Sequence, residues 1–217
     1  SIGIAMFPEH GPTSRLIGNA DAAMFAVKRT GGSTYAFFEA RMELDASDQL
    51  ALQTDLRQAI EQGALELYYQ PKIDARSLQI TAAEALLRWK HPRRGMISPV
   101  VFIPLAERHG LIASIGLWVI DEACRQAAQW RERGLRMRVA INISGHQLRQ
   151  DNLVQHVEAA LGRHGIPPGR LTCEITESVA MSNLESTMKT LWKLHGFSIR
   201  LAIDDFGTGY SSLSSLK

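Results

Sequence analysis

Two adjacent carboxylates, Asp204 and Asp205, end an apolar run and are followed at once by Phe206-Gly207-Thr208-Gly209-Tyr210-Ser211-Ser212-Leu213. Carboxylate oxygens are hard ligands for Mg²⁺ or Mn²⁺, and a turn built on Gly207 and Gly209 lets backbone N–H groups approach an anion. Upstream, Glu84, Asn142 and Glu174 occupy comparable places, each within or at the end of an apolar run. An oxygen donor set without His or Cys favours Mg²⁺ or Mn²⁺ over zinc. Asp205 would add a second cation, and two ions about 3.5–4 Å apart are the usual arrangement for hydrolysing a phosphodiester. Arg88 would then hold a phosphate oxygen in bidentate fashion.

Such residues need strands to aim them. Strand-like runs cover residues 65–70, 80–89, 138–144, 171–177 and 199–205, and helix-like segments cover 99–109, 113–132, 151–164 and 183–195. Ser98-Pro99 opens the first helix, and Gly134, Gly165 and Gly196 stop the later three. Strands alternating with helices predict a parallel sheet. The connection over residues 71–79 is too short for a parallel crossover, so the first two strands are expected to pair antiparallel. An eight-stranded barrel with one reversed strand and an open doubly wound sheet both satisfy this pattern.

Period-2 alternation puts Glu84, Leu86 and Arg88 on one face of their strand, Asn142 with Ala140 and Ser144, Glu174 with Thr172 and Thr176, and Asp204 with Ala202. Four strands therefore each offer one oxygen ligand. In a barrel, such side chains converge at the C-terminal mouth. Taken singly, a strand carboxylate is as easily part of an ion pair, and Glu84 with Arg88 is the obvious one; four such positions on four strands are harder to ascribe to coincidence. Asp205-Phe206-Gly207 is also the magnesium-binding triplet of protein kinases, but no His-Arg-Asp loop accompanies it. Gly207-Thr208-Gly209 lacks the Gly-Lys-Ser/Thr ending of a P-loop. The histidines at 91, 109, 146, 156, 164 and 195 show no ligand spacing tied to the acidic face and read as surface or capping residues. Trp118, Trp130 and Trp192 read as packing residues within helices.

The 217 residues are 45% hydrophobic and 21% charged with a formal net charge of +2, which suits a globular protein and excludes a large basic face for DNA or RNA polymers. No apolar stretch approaches the roughly 20 residues of a membrane span. Cys124 and Cys173 are the only cysteines, too few for a disulfide scaffold, and a cytoplasmic location is expected, with any anchor outside this stretch. Ser1 lies inside a strand-like run, so the chain reads as an excerpt. Residues 21–28 are helix-like and capped near Gly31-Gly32, and residues 35–38 form a closing strand. The charged stretch that follows, 41–47, reads as a linker. Asp48 is then the expected N-cap of a helix with Leu52, Leu56, Ala59 and Ile60 on one face, ended by Gly63.

Glu84-Ala85-Leu86-Leu87-Arg88-Trp89 resembles the signature of the EAL-domain family, cyclic di-GMP phosphodiesterases with a modified TIM (β/α)₈ barrel. Tyr69-Gln70-Pro71, Phe102-Ile103-Pro104-Leu105-Ala106-Glu107, Asn142-Ile143-Ser144, Glu174-Ile175-Thr176-Glu177-Ser178 and Asp204 through Leu213 resemble further blocks of that family, in its order. The resemblance implies metal binding by Glu84, Asn142, Glu174 and Asp204, with Asp205 reaching a second Mg²⁺ or Mn²⁺ ion. It implies nucleotide contacts from Gln70, Leu86 and Arg88, a loop-holding role for Glu177, and hydrolysis of cyclic di-GMP to linear pGpG. Glu84, Asp204 and Asp205 are the expected catalytic residues. Residues 1–40 resemble the tail of a GGDEF diguanylate cyclase domain through Asn19-Ala20-Asp21-Ala22-Ala23-Met24-Phe25 and Lys28-Arg29-Thr30-Gly31. That family has Arg then Asn after the glycine, where this chain has Gly32 and Ser33, which counts against cyclase activity.

The domain plan expected is therefore a GGDEF-like remnant at 1–40, a linker at 41–47 and an EAL-like domain at 48–217. A full barrel takes about 250 residues, so the barrel is expected to be incomplete and the excerpt inactive alone, within a parent phosphodiesterase that has upstream GGDEF and sensory domains. Pairing of two EAL domains into a homodimer is compatible with this plan. The competing reading is a non-catalytic cyclic di-GMP receptor that keeps the pocket and lacks a catalytic residue.

Overall fold

A computed structural model describes residues 1–29, 33–181 and 185–206. The chain divides into two compact units, Ser1–Leu56 and Arg57–Lys217.

In the first unit, β1 (Ile2–Ile4) and β2 (Tyr35–Phe37) pair in parallel, with Ile2 opposite Tyr35, and α1 (Thr13–Arg29) connects them. The helix starts well before Asp21, directly after Gly11-Pro12; its expected cap at Gly31-Gly32 lies outside the described residues. The strand β1 and the helix approach closely. A Cβ on Gly3 would lie 1.9 Å from the Ala20 carbonyl oxygen and 2.3 Å from the Met24 nitrogen. Both are backbone atoms and cannot swing aside, so Gly3→Ala is expected to destabilise this unit by at least the ~1–3 kcal/mol typical of overpacking. Urea denaturation followed by circular dichroism checks this, and an unchanged midpoint would refute the close approach.

Helix α2 spans Ala40–Gln62. The stretch 41–47, expected as a linker, is thus helical, and Asp48 lies inside the helix instead of capping it. Charge alone suggested a linker, but residues 40–62 contain neither Gly nor Pro and are rich in good helix formers. The expected apolar face is present, with Leu52, Leu56 and Ala59 buried and Ile60 half-buried.

The second unit contains β3 (Leu65–Ile73), β4 (Ile80–His91), β5 (Gly95–Ile97), α3 (Pro99–Arg108), α4 (Ile112–Glu132) and β6 (Arg138–Asn142). It continues with α5 (Gly145–Leu148), α6 (Leu153–His164), a 3₁₀ turn (Pro168–Arg170), β7 (Leu171–Thr176), α7 (Glu177–Ala180), α8 (Glu185–Gly196) and β8 (Arg200–Asp204). The sheet order is β3-β4-β6-β7-β8 with β5 folded back on β4. β3 and β4 are antiparallel, as the short connection required, and β4, β6, β7 and β8 are mutually parallel. Asp74 organises the β3–β4 turn, its Oδ1 accepting from the Ser77 backbone N–H at 2.8 Å and the Ser77 hydroxyl at 2.9 Å.

Helices α4, α6 and α8 lie side by side. The i, i+3/i+4 rows Ile112, Ile115, Val119, Ala123 and Ala127 of α4, and Leu153, Val157 and Leu161 of α6, are buried. The strand residues Val139, Ile141, Leu171, Cys173 and Ile175 are buried too. The opposite parity of the same strands carries Ala140, Thr172, Glu174 and Ala202, which line an open cavity of about 950 Å³. Helices on one face and polar, ligand-type residues on the other are what a barrel wall requires; a doubly wound sheet would be covered on both. Gly165 ends α6 in the left-handed conformation, as expected of a helix-stopping glycine. Burial pushes the thiols of Cys124 and Cys173 up to about 12, so neither is reactive. Among the described residues no helix is long and apolar enough to cross a membrane.

Candidate metal centre

The parallel register decides which side chains meet. Glu84 stands opposite Gln70 on β3 and level with Ala140 on β6; Asn142 pairs with Glu174, and Thr176 pairs with Asp204. Each acid thus occupies the same parity on its strand, stepped along a staggered sheet. One carboxylate oxygen from each of Glu84, Glu174 and Asp204 lies within 4.8 Å of the others. The Asn142 amide Nδ2 donates to Glu84 Oε1 at 3.1 Å, bringing the fourth expected ligand to the same point.

Glu174 is the most enclosed of the group, only 6% exposed. Burial pushes its carboxyl above the usual carboxylate range; the Lys72 ammonium pulls it back, and the nearby Glu84 and Asp204 charges add to the rise. Its Oε2 is buried and has no hydrogen-bond partner. A buried carboxylate oxygen left without a donor is costly, and a cation held among the three carboxylates would satisfy it. An all-oxygen donor set of three carboxylates and an amide suits a hard divalent ion.

Lys72 is the residue that sequence reasoning missed. Its Nζ lies 3.2 Å from Glu84 Oε2 and hydrogen-bonds Glu174 Oε1. Its parity is that of Gln70, so extending the predicted strand by two residues would have found it. Burial alone would lower the Lys72 ammonium, but its contacts with Glu174 and then Glu84 outweigh that and hold it above its ordinary value. The pairing of Glu84 with Arg88, the competing reading, is not the one formed. Arg88 instead donates through Nη1 to the Leu87 carbonyl at 2.9 Å and lies 5.7 Å from the centroid of the Tyr68 ring.

Leu86, Arg88, Asn142 and Glu174 line a cavity of about 360 Å³, walled on its apolar side by Ile103 and Ile115. Its volume falls within the range of small-molecule sites. Gln70 is exposed beside Glu84 in the register. Asp205 is exposed, outside the carboxylate trio, and left-handed at φ 54°, a conformation that Asp tolerates better than most residues. Glu177 is buried in the first turn of α7, directly after β7. The stretch it is expected to hold, from Gly207 onward, lies outside the described residues.

A support behind Asn142 was also missed. Ser144 caps α5 in a reciprocal box: its hydroxyl accepts from the Gln147 N–H at 3.3 Å, and Gln147 Oε1 accepts from the Ser144 N–H at 3.0 Å. The sequence Ser144-Gly145-His146-Gln147 carries the signal for this box. One expectation needs correction. Trp192 is 67% exposed on α8 and is not a packing residue, because its position falls outside the buried Thr187, Leu191 and Leu194 row. His91 is buried and is a capping residue: its Nδ1 accepts the Arg93 and Arg94 N–H groups at 3.1 Å, closing the turn into β5.

Residues 53–217 match the EAL domain. The chain is 48% identical over its whole length to the bifunctional diguanylate cyclase/cyclic di-GMP phosphodiesterase MucR of Pseudomonas aeruginosa, covering 32% of that protein. It is 40% identical to the cyclic di-GMP phosphodiesterase PdeR of Escherichia coli, again over its whole length, covering 33% of that protein. It therefore spans about a third of these relatives' length. Among solved structures, the PaMucR phosphodiesterase in complex with c-di-GMP superposes with a TM-score of 0.72 at 47% identity, covering 76% of this chain and 68% of the other. The FimX EAL domain from Pseudomonas aeruginosa bound to c-di-GMP superposes with a TM-score of 0.68 at 27% identity, over 78% of this chain and 66% of the other. With its mixed sheet, one-sided helical layer and strand-borne acidic cluster, the chain belongs to the EAL-domain family.

Proposed function

We propose that this chain supplies the metal-binding wall and part of the nucleotide pocket of a cyclic di-GMP phosphodiesterase that yields linear pGpG. The observation that carries this is the convergence of Glu84, Asn142, Glu174 and Asp204, with an unsatisfied buried Glu174 oxygen, beside a cavity bordered by Arg88. The phosphodiesterase relatives and the c-di-GMP-bound neighbours support it.

Glu84, Asn142, Glu174 and Asp204 would hold one Mg²⁺ or Mn²⁺ ion, and Asp205 would reach a second. Bound there, the ions supply Lewis acidity toward the phosphoryl oxygens and a more acidic water. The Arg88 guanidinium offsets the charge of a non-bridging phosphate oxygen, and Gln70 and Leu86 orient the nucleotide. The apolar wall of the cavity takes a base and keeps water from it. Hydrolysis adds the water oxygen to phosphorus, breaks one ribose P–O bond, and returns a proton to the departing ribose oxygen.

We place turnover in the longer protein, since residues 48–217 fall short of an about 250-residue barrel and the matched PaMucR chain is covered to 68%. Residues 1–40 are assigned to the end of a GGDEF-like domain and 41–47 to a helical connection. A cytoplasmic setting fits both. The test is hydrolysis of cyclic di-GMP with Mn²⁺, following pGpG by chromatography. Glu84→Ala is expected to abolish turnover with the circular dichroism spectrum unchanged. Tight cyclic di-GMP binding by the unaltered longer protein, without turnover, would overturn the reading in favour of a receptor.

A further inference from the structure

The ammonium of Lys72 occupies a place that a metal site does not obviously need. It touches two of the three clustered carboxylates, Glu84 and Glu174, and comes from β3, a strand that contributes no carboxylate to the cluster. We propose that Lys72 is a built-in counter-ion of the centre: it holds Glu84 and Glu174 together when no divalent cation is bound, and a cation entering the site displaces it. This rests on the reading of the acidic trio as a metal centre.

Three carboxylates with oxygens within 4.8 Å of one another repel, and one of them is buried. A protein that must keep them together before an ion arrives needs a positive charge nearby. A lysine suits this better than an arginine, because its compact ammonium sits on a flexible four-carbon stem and is not locked by a planar bidentate fork. Lys72 is able to withdraw. Its side chain is 40% exposed and borders the open cavity of about 950 Å³ beneath the site.

The neutralisation is also incomplete. Lys72 engages Glu174 through Oε1, while Glu174 Oε2 remains buried and without a partner. A single positive charge against three carboxylates leaves the site negative. A divalent ion therefore has a landing point at Glu174 Oε2 and Asp204 before it competes with the ammonium. Exchange of one charge for two is then favourable, but the ion must overcome the ion pairs it replaces. Metal affinity is accordingly lower than the same carboxylates would give without Lys72, and the metal-free site is better ordered.

The experiment measures Mn²⁺ alone, by calorimetry and by the electron paramagnetic resonance signal of the free ion, in the protein, Lys72→Met and Lys72→Arg. Lys72→Met is expected to bind Mn²⁺ at least about fivefold more tightly, the lower end of typical coupling between two linked ligands. It is also expected to melt lower in EDTA and to gain more from added Mn²⁺, whereas Lys72→Arg keeps the stability in EDTA. A merely structural lysine would lower stability without tightening the metal. Mn²⁺ binding by folded Lys72→Met that equals or falls below that of the unaltered protein overturns the proposal. If Lys72→Met does not fold in EDTA, Lys72→Gln takes its place under the same criterion. Absence of Mn²⁺ binding in every folded form, the unaltered protein included, would instead refute the metal centre itself, so the two failures are distinguishable.

Discussion

In the longer protein, Glu174→Gln is expected to lower Mn²⁺-dependent hydrolysis of cyclic di-GMP by at least about 10²–10³-fold, the loss seen when one electrostatic stabiliser of a transition state is removed. The substitution keeps the shape of the side chain and exchanges one carboxylate oxygen for an amide nitrogen. Glu174 is the buried member of the trio, and its unpartnered Oε2 is the atom that a cation held among the three carboxylates would satisfy. A neutral amide cannot serve as an anionic ligand, and its N–H₂ group would point donors where a cation is to lie. Stability should respond in the opposite sense to activity or hardly at all. The variant loses the Lys72 pair but also the repulsion from Glu84 and Asp204 that helps push the Glu174 carboxyl up. Hydrolysis assays, Mn²⁺ titration and thermal melting together read this. Activity within about tenfold of the unaltered protein would remove Glu174 from the metal centre.

The parts of this site that were legible in sequence are those set by strand parity. Alternation alone put Glu84, Asn142, Glu174 and Asp204 on one face of four strands, and the structure brings the acids within 4.8 Å. Lys72 escaped because the strand-like run covers only residues 65–70 and stops short of Pro71. β3 lies at the edge of the described sheet, however, where a proline that cannot donate is tolerated, and Pro71 sits in register opposite Ala83. The helix over residues 40–47 escaped because charge was weighed above helix propensity. The elements β5, α5 and α7 span only 3 or 4 residues each, too few to show a period. The choice between barrel and doubly wound sheet was not local at all. It depended on which face the helices cover, which only packing reveals. The same holds for the cavity beside Arg88, whose walls come from α3, α4 and three strands.

Packing also makes Gly116 a positioning residue for Asn142, and Gly116→Ala carries the second large expected effect. Gly116 lies in α4 facing the Gln147 side chain, where a Cβ would stand 1.8 Å from Nε2 and 2.6 Å from Cδ. Gln147 is 3% exposed and its Oε1 is held by the Ser144 N–H, so the side chain cannot turn aside without breaking the capping box. Overpacking costs about 1–3 kcal/mol, and loss of the Ser144 cap adds about 1 kcal/mol. Asn142 is two residues before Ser144, so releasing the cap loosens the amide that donates to Glu84. Activity should fall about 10–100-fold, as for other residues that orient a metal ligand. Gly162→Ala in α6 is the control: a Cβ there meets nothing within 4 Å, so stability should rise by about 0.5–1 kcal/mol. A double-mutant cycle separates cause from coincidence. If the clash with Gln147 is the cause, Gly116→Ala combined with Gln147→Ala destabilises by less than the sum of the two single changes. Strict additivity would mean that Gly116 acts elsewhere.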